Sequence, residues 1–399
     1  MSTLKVDAIR HNSATSDAIT TAADGTCTAK LTSVGGGQLS HRNLIINGAM
    51  NVAQRGVTST LDNYGTVDRF KQIYSGQDEV LTQEQVDVTS GTTPYSLGFR
   101  KAFKITNGNQ TSGAGASDIE ILQHKIEAQD IASSGWNYTS SSSFITLSFW
   151  VKASVAQSYT MRIQSQDGTR QNFPFEIGPL TANTWTKVTK KIPGNSNLQF
   201  DNNNGEGLLI EWLLFRGTNY TDNSISNDTW AAYVGSTRSR PVTSTWWTTN
   251  DATFEMTGVQ LEVGDTATSF EHLSYAEDFR RCARYCYQWI DDQQLGFGQV
   301  YSGSGYVKIF PPIPVNMRAK PSVTKNAPTG YWFVSYQGNS GYAGDRVVTV
   351  EGNSGDDSRQ STNTFRLFVN GGSNQGNGTT VWCLMHDTAG AYLRLEAEL

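Results

Sequence analysis

Long apolar runs are missing from this 399-residue sequence. The most apolar stretch, residues 212–215 with their neighbours, is far too short to span a bilayer, and residues 1–12 lack the apolar core of a secretory signal. The expectation is a chain made in the cytosol without membrane insertion. Basic charge is short as well: 31 Lys and Arg against 36 Asp and Glu leave a net charge of −5 and a pI near 5.6. No basic field is available to a phosphate backbone, which argues against nucleic acid as a partner. Four cysteines make no disulfide framework in so long a chain, and all four read as free thiols. Five scattered histidines suggest no catalytic triad, and neither a Gly-x-Ser-x-Gly elbow nor a His-Glu-x-x-His pair occurs.

What is abundant is turn chemistry. Thirty-eight glycines are spread along the chain, and Ser, Thr and Asn crowd the segments between short apolar runs, a β-rich composition. The length exceeds what one hydrophobic core usually serves, about 250 to 300 residues, so two or three domains are expected. Residues 1–42 carry pieces such as Leu4-Lys5-Val6-Asp7-Ala8-Ile9 and the triplet Gly35-Gly36-Gly37. They cannot bury a core alone and are read as an assembly segment ordered by partner chains.

Residues 43–273 carry a β pattern, broken by the loop-like stretch 219–250, which has no steady alternation. Ile145, Leu147, Phe149 and Val151 share one strand face while Thr146 and Ser148 share the other. Tyr159, Met161 and Ile163 do the same, and Asp167-Gly168 supplies a hairpin turn; the two strands are expected to be neighbours. Residues 208–215 are apolar on both faces except Glu211, which predicts a central strand with a partnered carboxylate. A phase jump across Gly258 predicts a β-bulge. Ser274 followed by Glu277 marks a helix start, and the spacing of Phe279, Cys282, Cys286 and Trp289 predicts a linking helix over 274–295. Residues 296–399 return to strands near 306–310, 346–350, 364–369, 380–385 and 391–399, a second, smaller β-sandwich whose last strand holds the C-terminus. The fold class is all-β.

Several stretches, in order, resemble phage tail-fibre and virion structural proteins that carry a jelly-roll sandwich of the carbohydrate-binding-module kind. They are Asn43-Leu-Ile-Ile-Asn-Gly-Ala-Met-Asn-Val-Ala-Gln-Arg-Gly56, Asp68-Arg69-Phe70, Leu147-Ser-Phe-Trp-Val-Lys-Ala-Ser154, and Thr257-Gly-Val-Gln-Leu-Glu-Val-Gly-Asp-Thr-Ala-Thr-Ser-Phe-Glu271. Tyr275-Ala-Glu-Asp-Phe-Arg-Arg-Cys-Ala-Arg-Tyr285, Asn316-Met-Arg-Ala-Lys-Pro-Ser-Val-Thr324, the closing Ala397-Glu398-Leu399 and the opening Met1-Ser-Thr-Leu-Lys-Val-Asp7 are similar to the same family. The resemblance implies a homotrimeric fibre attached through its N-terminus to phage tail or adaptor proteins. It also implies a distal end that binds a bacterial surface polysaccharide, with the virion as the chain's location.

Sugar recognition needs flat apolar faces beside polar groups. Trp230, Tyr233, Trp246 and Trp247, in a stretch that also holds Asp222, Asn223, Asn227 and Asp228, meet that description, although such rings equally well close a sandwich end. Tyr331, Trp332, Tyr336 and Tyr342 form a second candidate set, with Trp332-Phe333-Val334 also readable as strand. No cofactor and no metal are expected. Cys282 and Cys286 have no second pair, Cys383 and His386 fall on opposite faces of a strand, and no stretch has calcium-loop spacing. Gly113-Ala114-Gly115 and Gly296-Phe297-Gly298 read as turns. Three readings of function follow: a non-enzymatic receptor-binding fibre, a purely structural capsid decoration or tail appendage, and a glycan depolymerase using carboxylates such as Glu120, Glu127 and Asp130. The last is disfavoured because no β-helix repeat is visible.

Overall fold

A computed structural model of the chain describes residues 6–10, 12–13, 15–23, 27–29, 42–290, 293–300, 306–326, 332–336, 348–350, 362, 367–370, 380–385 and 392–399. Leu4, Lys5, Gly35, Gly36, Gly37, Tyr331, Tyr342 and His386 lie outside these residues, as do parts of the expected strands at 346–350, 364–369 and 391–399.

Alternation places the strands of the central domain as expected, and two six-stranded sheets result. One runs Ala231–Ala232, Gln171–Ile177, Tyr159–Ser165, Glu206–Arg216, Ile119–Glu127, Phe70–Ser75. The other runs Thr186–Pro193, Phe144–Ala153, Thr253–Val263, Lys101–Thr106, Thr82–Asp87, Thr58–Ser59. Their pairings are antiparallel, and their inner faces share one core in which Ile145, Leu147, Phe149 and Val151 are fully buried. The Phe149 ring meets Trp212 of the facing sheet edge-on, 5.8 Å between centroids. This is a β-sandwich.

One expectation about neighbours fails. Phe144–Ala153 and Tyr159–Ser165 lie in opposite sheets. The link at 154–158 crosses between them instead of closing a hairpin, held where Gln157 accepts at its backbone from Leu180 and at its side chain from Trp246 N–H. Two alternating strands joined by five polar-rich residues fit a hairpin or an arch equally well, and period two does not distinguish them. The hairpin at Asp167-Gly168 does form, between Tyr159–Ser165 and Gln171–Ile177, with Gly168 at φ 59°. Glu206–Arg216 is a central strand as expected. The register shift between Thr257 and Gln260 is the bulge at Gly258, whose φ of +64° and position 2.6 Å from the Phe99 ring at the point a Cβ would occupy leave room only for glycine.

Ser274 caps its helix, accepting from the Glu277 N–H, but the helix is Tyr275–Ala283 and does not continue to 295. Cys286–Ile290 is a strand, hydrogen-bonded to Tyr392–Glu396, which in turn pairs with Ser322–Asn326. Only Phe279 and Cys282 of the predicted stripe are helical. Cys286 and Trp289 belong to a run of aromatic and β-branched side chains that pairs with the chain's last strand, so a long-range partner outweighs the local period. The second β region therefore begins at Cys286, and its other sheet, among the described residues, runs Trp332–Tyr336, Thr380–Met385, Gln294–Val300, Tyr306–Ile309, Leu367–Asn370, Val348–Val350.

The quoted motifs join these parts. Asn43 donates to Val259 O and accepts from the Ile45 and Leu261 N–H groups, tying the first motif to the bulged strand. Arg55 meets Glu396 at 3.1 Å and Glu398 at 3.0 Å, while Arg69 pairs with Glu398 and lies 3.5 Å from the Tyr285 ring centroid. Arg318 donates to the carbonyls of Ala397 and Glu398, so the C-terminus is held as expected. At the other end, Ala8–Ile9, Ile19–Thr21 and Cys27–Ala29 form a three-stranded sheet; Val6 and Ile9 are exposed, in keeping with a segment that has no core of its own.

Candidate functional site

The expected aromatic set does not assemble into a binding face. Trp246 and Trp247 are completely buried. The Trp246 indole N–H donates to Thr253 O at 3.1 Å, and that of Trp247 donates to Gly113 O at 3.0 Å. The Trp247 ring stacks on Phe215, 5.5 Å between centroids, and the Asn107 amide holds the backbone of both residues. Sugar stacking on these two rings is therefore ruled out; they close one end of the core. Trp230 is buried too, against Phe173, with its indole N–H on Pro193 O at 2.7 Å. Asp228 is exposed and pairs with Lys190. Trp332 and Tyr336 begin and end a strand paired with Thr380–Met385, so of the two readings of this stretch the strand is the one that forms.

Tyr233 has a different task. The outer face of the first sheet carries Arg162, Gln164, Asn172 and Glu211, all buried. Glu211 accepts from Arg162, from Arg216 at 2.9 Å and from Gln123. Burial alone raises the Glu211 pKa, but the two guanidinium charges outweigh it and hold the carboxyl at about 2. Residues 217–245 roof this cluster: Asn172 donates to Arg238 O at 2.8 Å, and the Tyr233 ring lies 5.4 Å from the Arg162 guanidinium. This face is closed.

The outer face of the second sheet is only partly covered: Thr146, Ser148, Thr257, Gln260 and Glu262 are buried, while Trp150, packed beside Val88 and Phe99, and Lys152 stay half-buried. Trp150 stands on the face opposite its core neighbours Phe149 and Val151, directly across from Lys187 on one side and Thr257 on the other. Beside it a cleft of about 290 Å³ is lined by Ser148, Trp150, Lys187, Thr268, Phe270 and His272, over a floor at Phe99 and Gly258. Ligand pockets start at about 300 Å³, so this one has the size of a small recognition site. Phe270 meets Phe99 and His272 edge-on, each at 4.9 Å between centroids, and the Phe99 and His272 rings are tilted to each other at 5.1 Å. The wall comes from residues 264–271, folded back on their own strand. Glu262 accepts from Thr268 N–H at 2.8 Å and from its hydroxyl at 2.7 Å, and Gln260 accepts from the Glu271 N–H at 2.8 Å. Partial burial and the nearby Arg100 charge push the His272 imidazole below its ordinary value, and its Nε2–H donates to Leu97 O at 2.9 Å. The cleft thus offers aromatic surface, hydroxyls and one ammonium group, with no ionised imidazole near neutral pH. Sequence reasoning passed over Trp150, although parity places it on the polar face of its strand with Thr146, Ser148 and Lys152; of these the structure buries Thr146 and Ser148 and leaves Trp150 and Lys152 half-buried.

Of the carboxylates weighed for catalysis, Asp130 lies near enough to Glu127 for the two charges to interact, whereas Glu120 stands apart. Glu120 and Glu127 sit near the two ends of Ile119–Glu127, about 23 Å apart at 3.3 Å per residue, far beyond the roughly 5–10 Å that glycoside hydrolysis uses. Glu120 is buried against Gln72, and Glu127 is engaged by Arg284 at 2.7 and 2.8 Å and by the Tyr285 hydroxyl. Among the described residues no group of His, Cys, Asp and Glu is arranged to hold a metal ion.

No family model matches the sequence, and no curated protein matches it. Among solved structures, the chain is similar to the enzymatically active domain of tailspike protein 4 of bacteriophage CBA120, at 11% identity over 59% of this chain and 24% of that one, with a TM-score of 0.30. It therefore spans about a quarter of that protein's length. It is also similar to a putative sugar binding protein from Bacteroides thetaiotaomicron, at 12% identity over 56% of this chain and 100% of that one, TM-score 0.29. A third is the family 11 carbohydrate-binding module from Clostridium thermocellum, at 11% identity over 54% and 98%, TM-score 0.25. Likenesses this distant do not bear on ligand or activity, and the sandwich rests on its own sheet topology.

Proposed function

We propose that the chain is a non-enzymatic glycan-binding component of a phage tail fibre, in which the central sandwich holds a surface polysaccharide of the host at the Trp150 cleft. One observation carries the binding reading: a half-buried indole on the outer face of a sheet, next to a small cleft whose wall is aromatic and whose rim carries the Ser148 and Thr268 hydroxyls and the Lys187 ammonium. The C–H face of a pyranose packs on such rings while its hydroxyl groups meet the rim. The wide separation of Glu120 and Glu127, and the engagement of Glu127 by Arg284, support binding without cleavage. Attachment to the virion and assembly as a homotrimer rest on the resemblance of residues 1–7 and of the motifs along 43–324 to fibre proteins, together with an N-terminal sheet that exposes Val6 and Ile9. The test is to co-sediment the purified full chain with host cells and with their extracted polysaccharide, and to measure polysaccharide length before and after. The expected result is saturable retention with unchanged length; no retention, or shortened chains, contradicts the reading.

A further inference from the structure

A larger cleft, of about 1000 Å³, opens between the C-terminal end of the helix Tyr275–Ala283, the start of the sandwich and residues 313–316. Its lining holds four guanidinium groups, Arg42, Arg280, Arg281 and Arg284, against the single carboxyl of Asp130. Most of that positive charge is already engaged. Arg284 forks onto Glu127, Arg280 onto Glu277 at 3.0 and 2.9 Å, and Arg42 meets Glu262 at 3.3 Å. Arg281 differs: it donates to Asn43 O at 3.5 Å, and among the described residues it enters no ion pair. Asp130 and Asp278 lie near enough for the Arg281 charge to act on both carboxyls, but neither closes an ion pair with it among the described residues. A half-buried guanidinium that lines a roomy cavity and enters no ion pair is suited to a planar carboxylate, which such a group can hold by two parallel hydrogen bonds. The surrounding surface suits a sugar ring, with Ser133, Ser134 and Asn316 for hydroxyls and an apolar wall at Pro314 and Val315.

We propose that this cleft is a second glycan site, selective for a carboxylate-bearing sugar residue, with Arg281 as the specificity-determining contact. It extends the reading above to a charged subsite and rests on it only in taking a saccharide as the ligand. The experiment titrates the full chain with trigalacturonate, with a trimer of sialic acid, with neutral maltotriose and with inorganic phosphate at low salt. At least one acidic trimer is expected to bind saturably and to weaken as salt rises. Arg281→Gln should reduce that affinity at least ten-fold at an unchanged melting temperature, and Trp150→Ala should leave it intact. If Arg281→Gln does not fold, Arg281→Lys, which keeps charge and loses the fork, should still cost three-fold or more. Binding of neither acidic trimer, equal binding by maltotriose, full competition by equimolar phosphate, or undiminished affinity in the variant that folds overturns the proposal. Loss of polysaccharide binding in Trp150→Ala alone tests the first site and leaves this one standing.

Discussion

The two outer faces of the central sandwich are built by the same alternation and put to opposite uses. On the first sheet the outward positions carry Arg162, Gln164 and Glu211, and residues 217–245 roof them, so a charged cluster becomes interior. On the second sheet the outward positions carry Ser148, Trp150 and Lys152, and residues 264–271 fold back to make one wall of a cleft while leaving it open. Where a strand's polar face leads depends on which loop returns over it. Charge under a roof is a matter of stability, whereas an aromatic ring left half-buried beside a cleft is available for a ligand.

Replacements should separate the two faces cleanly. Glu211→Gln leaves Arg162 and Arg216 buried without their counter-charge and is expected to cost about 3 to 5 kcal/mol of folding stability, read from denaturant midpoints. Because the folded-state Glu211 pKa of about 2 lies below its ordinary 4.5, the carboxylate stabilises fully above pH 4.5 and that share is lost as pH falls toward 2. The variant's stability should therefore lack this acid slope. A Trp247→Ala change removes a ring stacked in the core and should cost about 3 to 5 kcal/mol of stability in the same assay, without a specific effect on glycan affinity in the folded fraction. On the other face the pattern reverses: Trp150→Ala should weaken polysaccharide binding by about 2 kcal/mol, roughly 30-fold, while costing less folding stability than Trp247→Ala because the ring is only half-buried. Ser148→Ala, one hydroxyl at the same cleft, should cost about 0.5 to 1.5 kcal/mol of binding by calorimetry.

The same contrast explains what the sequence could and could not convey. Side-chain parity along residues 144–153, the Gly258 phase jump and the Ser274 cap are local and legible within a few residues. Glu211 stands out as one carboxylate in an apolar run, although Arg162 and Gln123, its partners, lie far off in the chain. Which strands share a sheet depends on contacts far apart in the chain, so parity alone makes Phe144–Ala153 and Tyr159–Ser165 look like neighbours, and the three- and four-residue spacing makes Cys286–Ile290 look helical. The candidate aromatics were misplaced for a related reason. Trp246 and Trp247 sit in a segment without alternation and looked solvent-facing, yet Asn107 and Gly113, more than a hundred residues earlier, supply the hydrogen bonds that let that segment cover the core. Trp150 lay within a clean strand and so drew attention to its buried neighbours, although its own parity placed it outside.

The claim that glycan recognition belongs to the outer face of the second sheet is tested most directly by fluorine NMR of the full chain labelled with 5-fluorotryptophan, its ten tryptophan signals assigned by single replacements, during titration with host polysaccharide. The Trp150 signal should move with saturation while those of Trp246 and Trp247 stay fixed. Movement of the two buried rings with Trp150 unchanged would contradict the account.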